Sequence, residues 1–179
     1  NNPLSLSAGT YNYSITDGAS CIIYDSVTIT HPNILDATSI ITDVSCFGID
    51  NGSATVNISG GTIDYILFWD TLSYPLVGGL STFITPIGVP SGIYPFSITD
   101  NNGCSFSDTI IINQPTEISV IETISNVSCN GGNDGTAILT LSGGIGTLTP
   151  DWGTNNPMAL AAGTYNYTVT DSNLCVDSG

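Results

Sequence analysis

Residues 1–17, NNPLSLSAGTYNYSITD, return at 155–171 as NNPMALAAGTYNYTVTD, with twelve of the seventeen positions identical. A looser copy, SGIYPFSITDNNGC, starts at Ser91. The three copies align on Cys21, Cys104 and Cys175. A second phrase behaves alike: VSCFGIDNGSATVNISGG, from Val44 to Gly61, returns as VSCNGGNDGTAILTLSGG, from Val127 to Gly144. Its offset equals that between Cys21 and Cys104, so both phrases belong to one repeating frame. His31-Pro32 aligns with Gln114-Pro115 in the same frame. Whatever this chain folds into must therefore be a unit of ~70–85 residues that can be joined end to end. Two variants, one longer and one shorter, alternate. The expected boundaries are 1–35 for the C-terminal part of one unit, 36–115 for a complete longer unit, and 116–179 for a shorter unit lacking its last strand. The chain reads as a segment of a longer array.

The units read as all-β. Ala54, Val56 and Ile58 alternate with polar residues, as do Ala137, Leu139 and Leu141. Tyr11, Tyr13 and Ile15 do the same, as do Tyr165, Tyr167 and Val169. A period of two places one face of a strand in a core. Gly60-Gly61 and Gly143-Gly144 end strands, and DGAS, DNNG and DSNL are turn sequences. No stretch carries helical periodicity with a cap and a stop. About seven short strands per unit predict tandem β-sandwich domains of the immunoglobulin/fibronectin type. Trp69 and Trp152 fall where such folds bury a tryptophan on the third strand. Pro95 lies inside the sixth-strand phrase, and proline donates nothing to a ladder, so a bulge or a locally unpaired edge is expected there.

Charge excludes several functions. The chain has no Lys and no Arg against 15 acidic residues, a formal net charge of −15. Phosphate backbones need cations, so no nucleic-acid partner is expected. Anionic membrane surfaces are disfavoured by the same sign, and no apolar run reaches the ~20 residues of a membrane-spanning helix.

The order VSCxGxxxG, then SGG, then an aromatic-Trp strand, then AAGTYNYTVTDxxxC resembles the SprB-type repeat of large surface adhesins of gliding Bacteroidota. Leu174, where that repeat has Gly before the last Cys, and the longer middle of the first complete unit, Ile63 to Val89, depart from the pattern. The resemblance implies an extracellular, cell-surface protein exported by the type IX system, with no catalytic residue and no cofactor. The expected role is a stalk or filament segment in surface adhesion or gliding. Neighbouring repeats, like chains in a filament and surface glycans are the expected partners. The alternative is a glycan- or surface-binding module that uses aromatics of the Ile63–Val89 insert, such as Tyr65, Phe68 or Trp69.

Candidate chemistry is sparse. His31, the only histidine, precedes Pro32 and reads as a solvated linker residue. Asp50 and Asp134 are calcium candidates, because Asp50-Asn51-Gly52 and Asn133-Asp134-Gly135 recur at one place; turn chemistry explains the same residues without a metal. Asp17, Asp100 and Asp171 recur at the turn after the Tyr-rich strand. Under the resemblance, Ser26, Thr71 and Thr109 are candidate O-glycosylation sites, each in an Asp-Ser/Thr-aliphatic tripeptide.

Extracellular cysteines at fixed repeat positions are expected to oxidise. Pairing Cys21–Cys46 with Cys104–Cys129 would bridge neighbours through an extended chain that holds the sulfurs tens of Å apart, beyond the roughly 7 Å Cα separation of a disulfide. The expected pairs are therefore Cys46–Cys104 and Cys129–Cys175, within units. A first strand running the full length of its unit would change this. It would put Cys46 at the far end, against the following hairpin, and give Cys46–Cys175.

Overall fold

The computed structural model describes residues 5–69, 72–85 and 88–179. Within these residues the chain is all-β, with fourteen strands in five small sheets and no helix.

The first unit is a single hairpin of β1 (Gly9–Thr16) and β2 (Ile22–Ile29). The middle unit has seven strands: β3 (Asp36–Thr42), β4 (Ser53–Ser59), β5 (Tyr65–Trp69), β6 (Leu72–Leu76), β7 (Thr82–Ile84), β8 (Gly92–Thr99) and β9 (Ser105–Ile112). They form a three-stranded sheet, β3-β4-β7, and a four-stranded sheet, β6-β5-β8-β9, with every pairing antiparallel. Alternation dictates the packing. Ala54, Val56 and Ile58 of β4 meet Tyr65, Leu67 and Trp69 of β5, Phe96 and Ile98 of β8, and Ile110 and Ile112 of β9 in one buried cluster. Two sheets sharing one core are consistent with a β-sandwich. The third unit has β10 (Ser119–Ser125) paired with β11 (Thr136–Ser142). Beside them is the sheet of β12 (Thr149–Asp151), β13 (Thr168–Thr170) and β14 (Val176–Ser178). The last strand, expected to be lacking, is thus present as the short β14, paired with β13.

The repeats match in register as well as in sequence. β1 pairs with β2 from Gly9↔Ile29 to Thr16↔Ile22, and β8 pairs with β9 from Gly92↔Ile112 to Thr99↔Ser105, every pair displaced by the same offset. Burial differs, for a physical reason. Phe96 and Ile98 are buried by the opposing sheet, while their equivalents Tyr13 and Ile15 are 45 % and 55 % exposed, since among the described residues no second sheet covers the β1–β2 hairpin.

Pro95 pairs with Thr109 on one side. The β8–β9 register runs unbroken through that pair, so no bulge occurs on this side. Toward β5 the described ladder reaches Phe96, and position 70, next along β5, lies outside the described residues. Pro75 is tolerated because β6 is an edge strand, bonded among the described residues only to β5.

Trp69 is a core residue as expected, stacked on Tyr94 with ring centroids 5.3 Å apart. Trp152 is only half-buried, tilted against Tyr167 at 5.2 Å.

Candidate functional site at the repeat junction

A chain without Lys or Arg must stabilise its carboxylates with N–H dipoles, and the hairpin aspartates do so. Asp17 Oδ1 accepts the N–H groups of Ala19 and Cys21 at 2.8 and 2.9 Å. Asp100 Oδ1 accepts those of Asn102 and Cys104, and Asp171 Oδ1 those of Asn173 and Cys175. In the two larger units the second oxygen reaches the Gly-Gly turn: Asp100 Oδ2 accepts the Thr62 N–H at 2.8 Å, and Asp171 Oδ2 the Ile145 N–H at 2.9 Å. Both aspartates are buried. The Thr62 N–H, above all, holds the Asp100 carboxyl below the usual carboxylate range, against the effect of burial. At Asp171 burial is the largest influence and raises the pKa. The N–H groups of Ile145, Cys175 and Asn173 together outweigh it, and the net shift is downward.

The Gly-Gly turn also clasps the linker. Gly61 N–H donates to Asn33 O, and at the equivalent place in the next unit Gly144 N–H donates to Thr116 O. At the opposite end of each unit lies the Val-Ser-Cys loop. The Ser45 N–H donates to Asn51 Oδ1 at 2.9 Å, and the Ser128 N–H to Asp134 Oδ1 at 3.0 Å. Ser128, through its side chain and its N–H, holds the Asp134 carboxyl below the ordinary range. Asn51, and not Asp50, is thus the counterpart of Asp134. The two calcium candidates occupy different positions of the loop, and Asp134 is engaged as a turn acceptor.

The cysteines depart from expectation. Cys46 is bonded to Cys175, with 5.7 Å between their Cα atoms, while Cys21, Cys104 and Cys129 are free and exposed. The in-unit pairs Cys46–Cys104 and Cys129–Cys175 do not form. The reason lies in the length of the first strand. β3 runs to Thr42, and beyond it Val44 N–H donates to Asn113 O while Asn113 N–H donates to Asp43 Oδ1. Gly48 N–H then donates to Gln114 Oε1 at 3.1 Å. Cys46 therefore sits where the chain leaves the unit. Cys104 sits at the entry end, in the hairpin that Asp100 ties to Thr62, beside the clasp on Asn33. A strand such as β4, seven residues long, separates the two ends by ~23 Å.

At the exit, Cys46 meets the hairpin of the next unit. Asn173 Nδ2 donates to Ser45 O at 3.1 Å, and the Cys175 sulfur lies 3.3 Å from the same oxygen. A cleft of about 340 Å³ runs along this junction, between Phe47 and Ile49 on one side and the linker residues Pro115–Ile118 and Leu174 on the other. The larger opening, about 630 Å³ between Val127, Gly135, Leu139, Trp152 and Leu160, is lined by core positions of the third unit. In the middle unit Ile112 fills the matching place, its Cγ2 lying 2.7 Å from where a Cβ on Gly52 would stand. The surface of the opening is mainly apolar rather than a set of polar groups converging on a ligand.

The remaining candidates stay apart. Ser26 and Thr109 are exposed at equivalent positions of β2 and β9, each with its N–H on the preceding aspartate, Asp25 or Asp108. Thr71 lies outside the described residues, as does Asp70 before it. His31 is exposed, its Nδ1 2.8 Å from Pro32 O. Tyr65 and Trp69, expected as exposed aromatics for a glycan, are buried because they share with Leu67 the face of β5 turned to the core; Phe68, on the alternate face, is the one of the three that is exposed. No group of three or more His, Cys, Asp or Glu able to hold a metal occurs among the described residues.

Two features escaped the sequence reading. Tyr11, Tyr94 and Tyr165 each donate the phenol hydrogen to the carbonyl four residues upstream, on Ser7, Pro90 and Ala161. The acceptor is backbone, so no side-chain pattern announces it. Tyr167 donates to Glu122 Oε1 at 2.6 Å, where the middle unit has Phe96 and Ser39. Comparing the two units position by position would have exposed that paired change.

No curated protein matches this chain. Residues 38–65 and 121–156 each match the family model of the SprB repeat. The two matches begin at equivalent positions of their units, and each spans a Val-Ser-Cys loop and a Gly-Gly turn. The chain thus carries the SprB repeat at two segments.

Proposed function

We propose that this chain is a stalk segment of a large cell-surface adhesin, acting outside the cell in surface adhesion or gliding after type IX export. Its domains are 1–35, 36–115 and 116–179, each a whole or part of a fibronectin-like sandwich. The 3+4 strand order of the middle unit supports that assignment. So does the thrice-repeated tyrosine bond to a carbonyl four residues upstream, a corner typical of such sandwiches. SprB repeats form a structural family, not an enzyme family, and belong to cell-surface proteins. The partners of each unit are its neighbours in the same chain.

The observation that carries this reading is the junction. A stalk needs units that repeat and joints that do not fold back. Here the Gly-Gly turn clasps the linker in both larger units, and Cys46–Cys175 ties one unit to the next. Small-angle scattering tests it. A compact domain of this chain's length would have a radius of gyration of ~16 Å. An extended array must lie well above that, and a value near it overturns the stalk.

A further inference from the structure

We infer that Cys46–Cys175 is one case of a rule: the Val-Ser-Cys cysteine of each unit forms a disulfide with the hairpin cysteine of the following unit. Under this rule Cys129 is a cross-linking site for the hairpin cysteine of a following unit. Cys104 and Cys21 are sites for the Val-Ser-Cys cysteine of a preceding one. These are the three cysteines that are free in this chain. None of them has a rule partner within residues 1–179, and the two cysteines that have one are bonded.

Both halves of the missing bridge are already built. Cys129 stands in the same loop as Cys46: its carbonyl accepts from Gly132 as that of Cys46 accepts from Ile49, and Asp134 replaces Asn51 as acceptor for the preceding serine. Cys104 stands in the same hairpin as Cys175, its N–H on Asp100 as that of Cys175 is on Asp171. The linkers are equal too. Cys21 to Cys46 and Cys104 to Cys129 are the same distance apart in sequence, and both linkers are clasped by a Gly-Gly turn at the same place. A joint made of equivalent parts should place equivalent sulfurs together.

Each bridge forms by thiol–disulfide exchange. The two thiols lose two protons and two electrons, and an oxidant of the disulfide class is reduced to two thiols. The bridges have a mechanical consequence, which rests on the stalk reading. In an array that follows the rule, tension crosses each bridge and then runs through one linker segment to the next Val-Ser-Cys loop. The stretches between a Val-Ser-Cys cysteine and its own hairpin cysteine, such as 46–104 and 129–175, stay off the loaded path.

The test is a tandem chain in the natural register, residues 1–154 followed by 1–179, oxidised with glutathione disulfide, alkylated in acid and mapped by mass spectrometry. Three bridges are expected: Cys46 to the second copy's Cys21, the first copy's Cys129 to the second copy's Cys104, and the second copy's Cys46 to its Cys175. The decisive peptide is the one joining Cys129 to Cys104. Cys129 bonded to the second copy's Cys21, or alkylated while the Cys46 bridges are complete, overturns the rule. In the tandem chain with the first Cys129→Ser, the second Cys104 should become fully alkylated and the other bridges should persist. Scattering of the same oxidised tandem chain separates the two readings: a rod in which mapping finds no Cys129 bridge refutes only the rule, and a compact globule refutes the stalk.

Discussion

Asp171 and Cys175 are locked together across the hairpin turn: Asp171 Oδ1 accepts the Cys175 N–H at 2.9 Å, while the Cys175 sulfur is bonded to Cys46 of the preceding unit. One aspartate thus connects the turn, the Gly-Gly clasp on the linker and the covalent joint. Asp171→Asn can keep an acceptor for the Asn173 and Cys175 N–H groups, but it then turns its amide NH2, a donor, toward the Ile145 N–H. The variant should unfold at a lower temperature than the parent at neutral pH.

The same carboxylates set the acid limit. Asp100 and Asp171 have lowered pKa values when folded, so their contribution is present above the ordinary 3.8 and is lost as pH falls through the folded values. The gap in melting temperature between parent and Asp171→Asn should narrow below pH ~3.8. A gap that stays constant down to about pH 2 would show that the charge of Asp171 is not what stabilises the turn.

Gly143 has φ +80°, and a Cβ there would lie 1.8 Å from the Glu117 carbonyl oxygen. Gly153 has φ +62° with open space around it. Gly143→Ala combines left-handed backbone strain with a backbone clash and should cost roughly 2–3 kcal/mol, against about 1 kcal/mol for Gly153→Ala. Urea denaturation of the two variants reads the difference. Equal losses would mean the linker can move away from the turn.

Tyr167 should ionise only in strong alkali. Its hydrogen bond to Glu122, with burial and the charges of Glu122 and Asp177, pushes its pKa from 10.0 up to about 12. Because the folded value is raised, the stabilisation is full below the ordinary value of 10.0 and is lost as pH climbs from there to about 12. Tyr167→Phe should cost about 1 kcal/mol at neutral pH. It should also remove the step at about pH 12 from the phenolate absorbance titration.

Much of this was legible in the sequence because strand phrases are local. The alternation at Ala54, Val56 and Ile58 predicts which side chains are buried, and Trp69 falls in the core as its position after the Gly-Gly turn requires. The aspartates at 17, 100 and 171 act as turn residues because a short carboxylate reaches N–H groups two and four residues on. The disulfide was less legible, because it depends on which end of a sandwich each cysteine reaches. That is fixed by the Val44–Asn113 and Gly48–Gln114 bonds, between partners far apart in sequence. The aromatics of the insert misled for a similar reason. Tyr65 and Trp69 carry the composition of a binding surface, but the alternation of β5 puts them, with Leu67, on the face turned to the core and leaves Phe68 on the other.

The bridge makes a mechanical prediction for the chain itself. With Cys46 bonded to Cys175, a pull on the two termini loads only the segments 1–46 and 175–179, because the disulfide carries the force past everything between. Those two segments extend to roughly 170–180 Å together, while the whole chain extends to roughly 590–640 Å, at about 3.3–3.6 Å for each residue. Single-molecule stretching should therefore show a short, abrupt limit in the oxidised protein. Added reductant should release several hundred Å more, together with unfolding of the middle unit. Cys46→Ser should give the long extension without reductant. An oxidised chain that reaches the long limit before any reductant is added would show that Cys46 and Cys175 are not joined in the folded protein.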